Sequence, residues 1–346
     1  MAPVETTVSK TVPTGPMSGA SARPVPPAVV TRSWRPLSAV AATRPPWPDA
    51  TLRSVDYVQA IILGLLQGAT ELFPVSSLGH SVILPKLLGW NDIVAAQKTS
   101  ESFFLAFLVG LHVATALALL YFYRERWVRM ILAVIDSARS RQIDSADARL
   151  GWLLFVATIP AGLAGLLLEH SLRVAFATPV AAAVLLFVNG LILLGGERYR
   201  TRPAARRRTG AHRVTAPLDG HFERIGFGTS MVIGFAQALA LLPGISRSGI
   251  TMVVGLTRGL DHEDAADFSF LLATPIILAA GVYKLPDLLG HNGDGVRGQI
   301  LVGSVAAAVA AYFSVRFLRR YFVQRTLTPF GIYCLGAGAV AFVLTR

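Results

Sequence analysis

Six long apolar runs constrain this chain more than any other feature of its sequence. They cover residues 102–122, 151–170, 178–195, 268–285, 298–315 and 327–344. Each is close to the roughly 20 residues that a helix needs to cross the hydrocarbon layer of a bilayer. Only 15% of all residues are charged, against about 25% in soluble domains. The pattern predicts an all-α polytopic membrane protein with six full spans.

The basic residues lie mainly in the connections between these runs. Arginines are concentrated in three connections, residues 123–150, 196–224 and 316–325, whereas the other three each carry one basic residue. Because positively charged loops stay in the cytoplasm, the arginine-rich connections are expected on that side. Topology therefore accounts for the formal net charge of +12, and we do not expect a nucleic-acid partner.

The first 54 residues differ in composition from the rest. They are rich in Pro, Ala, Thr, Ser and Arg and contain no sustained apolar stretch. Such a segment cannot bury enough apolar surface to stabilise an ordered core, and it lacks the apolar region of a signal peptide. We expect a disordered tail over residues 1–54 and a single integral membrane domain over residues 55–346.

Two further apolar regions, residues 56–90 and 225–260, are interrupted midway by polar residues, Pro and Gly. Each is too broken for one helix and too short for two crossings, which predicts a re-entrant helix pair. The regions also resemble each other, as GLLQGATELFPVSSLGHSVIL and GFAQALALLPGISRSGITMVV. Three spans follow each region, in opposite orientations. The sequence thus predicts an inverted-topology repeat with halves of about residues 56–195 and 225–346.

A carboxylate and a guanidinium inside these regions are the first candidates for chemistry. Ionisable residues within the membrane are costly, so Glu71 and Arg247 indicate function by default. Gln67 lies four residues before Glu71, on the same helix face. Arginine matches phosphate in bidentate geometry, and a helix start supplies free N–H groups. An alternative is that Glu71 and Arg247 pair for structure alone.

The second interrupted region predicts a phosphate cradle around its arginine. The residues expected to bind a diphosphate are Ser76, Gly244, Ser246, Arg247, Ser248 and Thr251. In the first region, a pair of serines is followed by His80, three positions after Ser77 and close enough to share a helix face. We predict a nucleophilic or acid–base role for Ser77 and His80. Helix capping by the serines is the alternative.

Other polar residues are interpreted as structural. His112 and His170 lie in or beside apolar runs and are expected to be packing or interface residues. The acidic segment DHEDAAD, residues 261–267, is expected to be a solvated helix start. The single cysteine, Cys334, is expected to face lipid or to pack.

QGATELFPVSSLGH and PGISRSGIT closely resemble the two motifs of the bacterial undecaprenyl-diphosphatase family of the BacA/UppP type, which is linked to bacitracin resistance. The resemblance covers about residues 55–346. It implies hydrolysis of a polyprenyl diphosphate lipid to the monophosphate and inorganic phosphate, which recycles the carrier for peptidoglycan synthesis at the bacterial plasma membrane. It also implies an inverted repeat with two re-entrant pairs and a site open to the periplasmic side.

The resemblance also implies which residues form the site. The family's roles fall on Gln67, Glu71, Ser77, His80, Ser246, Arg247 and Thr251. A divalent cation, Mg²⁺ or Ca²⁺, accompanies the family's activity, and Glu71 and Gln67 are its expected ligands. Many relatives have Glu at position 67, and an amide is a weaker cation ligand than a carboxylate. A homodimer is a further expectation.

The preferred mechanism has Ser77 attack the diphosphate while His80 or Glu71 accepts its proton and Arg247 offsets the phosphoryl charge. In a second version His80 attacks directly. A polyprenyl-phosphate transporter or flippase is the alternative from another class, because inverted repeats are also transporter architecture. The other membrane lipid-phosphatase superfamily, with PSGH and SRxxxxxH, fits less well because Val253 stands at its second histidine.

Overall fold

The computed structural model describes residues 55–97, 103–176, 178–200, 222, 225–284 and 297–346. Within these ranges every regular element is a helix, and no strand occurs. The all-α prediction is therefore confirmed for the described part of the chain. The tail predicted over residues 1–54 lies outside these ranges.

The helices follow one another along the chain, and two of the interruptions fall where the sequence predicts them. They are α1 (Tyr57–Thr70), α2 (Ser77–Leu87), α3 (Asn91–Ala96), α4 (Phe103–Phe122), α5 (Arg124–Ser140), α6 (Ala146–Phe176), α7 (Pro179–Tyr199), α8 (Phe227–Ala238), α9 (Arg247–Thr257), α10 (His262–Tyr283), α11 (Arg297–Phe322) and α12 (Thr328–Thr345). A short 3₁₀ turn, Leu239–Leu241, follows α8.

The longest helices give the chain the form of a multi-pass membrane protein. Five are long and apolar enough to cross a bilayer: α7, α10, α11, α12 and the Ala146–Leu168 part of α6. A sixth span is counted when α4 and α5 are taken together, although the two are bent 82° apart. The described residues thus contain five candidate spans, or six with the bent pair, against the six full spans predicted.

α5 is the main difference from the predicted topology, because this segment was expected to be a connection. Its apolar residues Val128, Ile131, Leu132 and Ile135 recur with the spacing of one helix face, and all four are exposed. The other face packs on α6. The arginines of the segment indicated a loop, but they occupy an amphipathic helix.

Both interrupted regions fold as two helices around a break. α1 ends at Thr70 and α2 begins at Ser77, whereas α8 and its 3₁₀ turn end at Leu241 and α9 begins at Arg247. A proline lies in each break. Proline has no N–H to donate and disfavours helical geometry in the residue before it. These breaks confirm the predicted interruptions.

Long helices hold the two short ones that precede the breaks. α1 packs on α11, and α8 packs on α6. A Cβ atom at Gly68 would lie 2.1 Å from the carbonyl oxygen of Ala307, and one at Gly234 would lie 2.4 Å from that of Ala157. Only glycine permits such close approach of two helix backbones. α7 contacts both α2 and α9, so the two breaks lie against the same helix.

Candidate active site

The two breaks lie directly against each other. The backbone N–H of Gly244 donates to the hydroxyl oxygen of Ser76 at 3.1 Å, across 168 residues of sequence. The hydroxyl of Ser248 donates to the carbonyl oxygen of Phe73 at 3.3 Å. The structure thereby brings the two motifs into one buried polar centre.

Asn189 of α7 ties the two breaks together and was missed by the sequence analysis. Its side-chain amide donates to the carbonyl oxygen of Pro74 at 3.1 Å and accepts from the backbone N–H of Ser246 at 2.9 Å. It also contacts Cys334, whose sulfur lies 3.4 Å away. Cys334 is fully buried, so packing is its role and the lipid-facing alternative is wrong.

A serine caps the helix after each break. Ser76 accepts from the N–H of Gly79 at 3.2 Å, and Ser246 accepts from the N–H of Gly249 at 3.1 Å. The capping interpretation is therefore correct for Ser76, and Ser246 has the same structural role in the second break. Ser76 has a φ of 70°, which is rare for a residue with a side chain and costs about 1–3 kcal/mol.

Glu71 is the centre of the site. The hydroxyl of Ser77 donates to its Oε2 at 2.5 Å, and the amide of Gln67 donates to the same oxygen at 3.0 Å. Arg247 lies beside its other oxygen, with Nη2 at 3.2 Å and Nε at 3.4 Å from Oε1. Glu71 is buried, so its charge is stabilised by these neighbours rather than by water.

Arg247 bridges the two breaks through this ion pair. Its Nη1 also donates to the carbonyl oxygen of Ser269 on α10, at 3.2 Å. The pairing of Glu71 with Arg247, considered as an alternative, is thus present. A guanidinium has five N–H groups, and three of them have partners among these residues. These contacts fix the position of the guanidinium and leave two of its N–H groups without a partner among these residues.

The hydroxyls of the predicted cradle surround Arg247 and shape the break. Thr251 donates to the carbonyl oxygen of Arg247 at 2.8 Å, and its oxygen lies 2.7 Å from the hydroxyl of Ser269. The hydroxyls of Ser246 and Ser248 lie 3.1 Å apart. Each hydroxyl already has a protein partner, so the guanidinium and the start of α9 are the best-placed anion-binding groups.

His80 belongs to a different set of contacts from Ser77. Its Nδ1 donates to the carbonyl oxygen of Ser76 at 2.7 Å, and its Nε2 accepts from the hydroxyl of Tyr333 at 2.8 Å. The two rings are stacked, with centroids 5.8 Å apart. Ser77 is hydrogen-bonded to Glu71 instead. Tyr333, on α12, gave no signal in the sequence.

His112 is a site neighbour rather than a packing residue. Its Nε2 lies 3.5 Å from Oε2 of Glu71, so the structural interpretation made from the sequence is wrong. The position lies in α4, far from both motifs in the chain, and no spacing rule connects it with Glu71. The side chain of His170 lies outside the described residues.

The acidic segment after the second break is only partly a solvated helix start. Asp261 caps α10 by accepting from the N–H of Asp264 at 3.0 Å, as expected for a helix start. Asp267, however, is 1% exposed, accepts from the hydroxyl of Tyr123 at 2.5 Å and lies 2.9 Å from Nε of Arg319. The solvated interpretation is wrong for Asp267, which forms a second buried charge cluster.

The two residues expected to bind a divalent cation, Gln67 and Glu71, are hydrogen-bonded to each other. Oε1 of Gln67 is buried without a hydrogen-bond partner among the described residues, but both oxygens of Glu71 already face donors. Within the ranges that the structure describes, no group of three or more His, Cys, Asp or Glu residues is arranged for a metal. Mg²⁺ is usually bound through one or two carboxylates together with waters and substrate phosphates, so a cation at Glu71 and Gln67 stays a prediction.

Comparison with known proteins assigns the chain to a family. A family model described as bacitracin resistance protein BacA matches residues 60–340. The chain belongs to this family. The BacA match contains both breaks and every candidate site residue, and it confirms the resemblance drawn from the two motifs.

Individual relatives within the BacA family match over nearly their whole length. The chain is 49% identical over 338 residues to undecaprenyl-diphosphatase 2 of Frankia alni, covering 84% of this chain and 98% of the relative. It is 52% identical over 299 residues to undecaprenyl-diphosphatase of Mycolicibacterium paratuberculosis, covering 84% and 97%. A Chromobacterium violaceum protein named undecaprenyl-diphosphatase 2 is 42% identical over 291 residues, covering 83% and 98%.

Proposed function

We propose that this BacA family protein hydrolyses undecaprenyl or decaprenyl diphosphate to the monophosphate and inorganic phosphate. It thereby recycles the lipid carrier for peptidoglycan synthesis and confers bacitracin resistance. The observation that carries the proposal is the 2.5 Å hydrogen bond from Ser77 to Glu71, whose carboxylate is paired with Arg247. A hydroxyl beside a base, with a guanidinium next to both, is an arrangement suited to phosphoryl transfer. The names of the relatives agree with it.

Glu71 is the group placed to accept the proton of Ser77. As Oγ of Ser77 attacks the terminal phosphorus, an oxygen–phosphorus bond forms and the hydroxyl proton passes to Oε2 of Glu71. The bond from that phosphorus to the bridging oxygen breaks, and the polyprenyl monophosphate leaves with the bonding electrons. Water then attacks the phosphorus of the phosphoserine, the bond from that phosphorus to Oγ of Ser77 breaks, and both hydrogens of the water stay with the phosphate. Glu71 returns the proton to Ser77, and inorganic phosphate is released.

Arg247 supplies the charge that the transferred group requires. Phosphoryl transfer depends mainly on offsetting negative charge on the phosphoryl oxygens. Three N–H groups of Arg247 are engaged with Glu71 and with the carbonyl oxygen of Ser269. When Glu71 becomes neutral by accepting the proton, its attraction for the guanidinium weakens. Arg247 is then available to the phosphoryl group as charge develops there.

Phosphate release by the purified full chain tests this function. In detergent, with decaprenyl and undecaprenyl diphosphates, the protein should release inorganic phosphate. Failure with every polyprenyl diphosphate would overturn the enzyme proposal and leave the polyprenyl-phosphate transporter as the better explanation. Acid quenching of the reaction should trap an acid-stable phosphate on Ser77. An acid-labile phosphate on His80 would move the nucleophile to that residue.

The proposed architecture is an inverted repeat of two re-entrant pairs whose breaks meet near the midplane. It is supported by two parallels: α1 packs on α11 as α8 packs on α6, and a serine caps the helix after each break. The site is proposed to open to the periplasmic side of a bacterial plasma membrane. The arginine-rich end of the molecule, which includes α5, then lies in the cytoplasm.

Introduced cysteines test this orientation, because the native chain has one cysteine, Cys334, and it is buried. A membrane-impermeant maleimide added to intact cells should label Asn91→Cys. It should label Ser140→Cys only after permeabilisation. The reverse pattern would invert the proposed topology.

A divalent cation and a homodimer are also proposed. A divalent cation is proposed to arrive on the substrate phosphates, as Mg²⁺ commonly does, rather than on Gln67 and Glu71 alone. Calorimetry with Mg²⁺ alone should then detect no binding to the substrate-free protein. The homodimer is to be checked by the mass of the protein in detergent.

A further inference from the structure

His112 faces the oxygen of Glu71 that accepts from Ser77. Its Nε2 lies 3.5 Å from Oε2 of Glu71. Its Nδ1 lies 2.8 Å from the carbonyl oxygen of Leu108, one turn earlier in α4. A carbonyl oxygen only accepts, so Nδ1 carries a hydrogen. The imidazole is therefore held in one orientation, with Nε2 directed at the carboxylate.

This contact is attractive when one hydrogen lies between Nε2 and Oε2, since a bare ring nitrogen and a carboxylate oxygen are both acceptors. The charged groups that meet here are Glu71 and, at its other oxygen, Arg247. One carboxylate thus lies between an imidazole and a guanidinium. The His112 side chain is 29% exposed, against 12% for Arg247 and 6% for Glu71. His112 thus forms the open side of the cluster.

We infer that His112 is a positioning residue for the phosphoryl transfer, acting through Glu71. It holds Oε2 towards Ser77, so that this oxygen faces the hydroxyl whose proton it accepts. The inference rests on the proposed function, because it gives His112 a part in that reaction. Gln67 donates to the same oxygen from α1, and His112 approaches it from α4, outside both breaks.

Three variants of the full chain in detergent test this role. His112→Leu removes the polar contact at similar volume, whereas His112→Gln retains an N–H donor able to reach Oε2. Thr115→Ala is the matched control, because Thr115 is buried in the same helix and the carbonyl oxygen of Leu111 is the one hydrogen-bond partner of its hydroxyl among the described residues. For His112→Leu, kcat should fall about 10²-fold, the lower end of the range for a proton-transfer group, with KM little changed. His112→Gln should recover most of the loss.

The outcomes separate this inference from the proposed function. If wild-type protein releases phosphate and His112→Leu keeps full kcat, the inference fails while the function stands. Equal loss in the Leu and Gln variants, or a raised KM with unchanged kcat, would also overturn it. Equal loss in the two variants would indicate a purely structural role for His112. A raised KM alone would indicate a role in substrate binding. An inactive wild-type protein would instead reject the function itself.

Discussion

The two helix breaks share a backbone design and differ in chemistry. In each, a serine caps the new helix by accepting from a glycine N–H three residues later. The residue after the cap is Ser77 in the first break and Arg247 in the second. One break thus presents a hydroxyl at the position where the other presents a cation. Their direct contact places the proposed nucleophile and its counter-charge together, which neither break provides alone.

The glutamine before each break shows the same divergence. Gln67 donates to Glu71 at 3.0 Å. Gln237 is the corresponding residue of the second break, and Leu241, four positions later, corresponds to Glu71. Gln237 is 3% exposed, and both its polar side-chain atoms lack a partner among the described residues. The second break has the amide without the carboxylate. The proposed mechanism therefore assigns the acid–base chemistry to the first break.

Removing the arginine of the second break should have the largest effect. We expect Arg247→Ala to lower kcat/KM about 10³- to 10⁵-fold, as loss of an arginine that offsets phosphoryl charge does elsewhere. Arg247→Lys should restore little, because an ammonium lacks the planar fork. Phosphate release measures the effect. Arg258→Ala, at the other end of α9, is the control, and similar activity in the two alanine variants would show that the second break is dispensable.

The adjacent serines of the first break should separate chemistry from structure. Ser77→Ala should reduce kcat at least about 10³-fold and abolish the trapped phosphoenzyme, because loss of a nucleophile is among the most severe active-site changes. Ser76→Ala should still form the phosphoenzyme. The free energy of unfolding of this variant should fall by about 1 kcal/mol because the helix cap is lost. It should fall by about 1–3 kcal/mol more, the cost of leaving the N–H of Gly244 without its partner. Trapping and thermal unfolding measure the two effects, and a phosphoenzyme in Ser77→Ala contradicts the assignment.

Much of the fold is predictable from apolar length and from prolines. The runs at residues 178–195 and 327–344 became α7 and α12 with nearly the same bounds. The helix α5 was not predicted, because its arginines outweighed the periodic apolar residues such as Ile131 and Ile135. A charge-rich sequence beside a membrane is compatible with a loop and also with an amphipathic helix. Only packing against α6 decides between them.

The site is predictable where motif residues are unusual for a membrane, and hidden elsewhere. Glu71 and Arg247 are conspicuous as charges in apolar sequence, and they meet across 176 residues. Asn189, His112 and Tyr333 are ordinary residues in long apolar helices. Their contacts are set by how α4, α7 and α12 pack against the breaks, and no local spacing records that packing.

Removing the residue that joins the breaks should have an intermediate effect. Asn189→Leu leaves the carbonyl oxygen of Pro74 and the N–H of Ser246 without this partner, at about 1–3 kcal/mol for each buried group. Thermal unfolding in detergent should shift downwards, and activity should fall less than in Ser77→Ala. Cys334→Ala, which removes a weak thiol contact with the same asparagine, is the control. Equal stability of the two variants would mean that the breaks are joined without Asn189.

The smallest effects should come from the two glutamines, and they should differ in kind. Gln67→Leu removes one donor from Glu71 and should lower kcat about tenfold, which corresponds to about 1.4 kcal/mol and is near the worth of a hydrogen bond to a charged group. Gln237→Leu removes a buried amide without a partner among the described residues. It should leave kcat unchanged and keep or raise stability, because an unsatisfied buried polar group is unfavourable. Phosphate release and thermal unfolding, measured on both variants, give the comparison. If Gln237→Leu loses as much activity as Gln67→Leu, the two breaks share the acid–base chemistry, and its assignment to the first break is wrong.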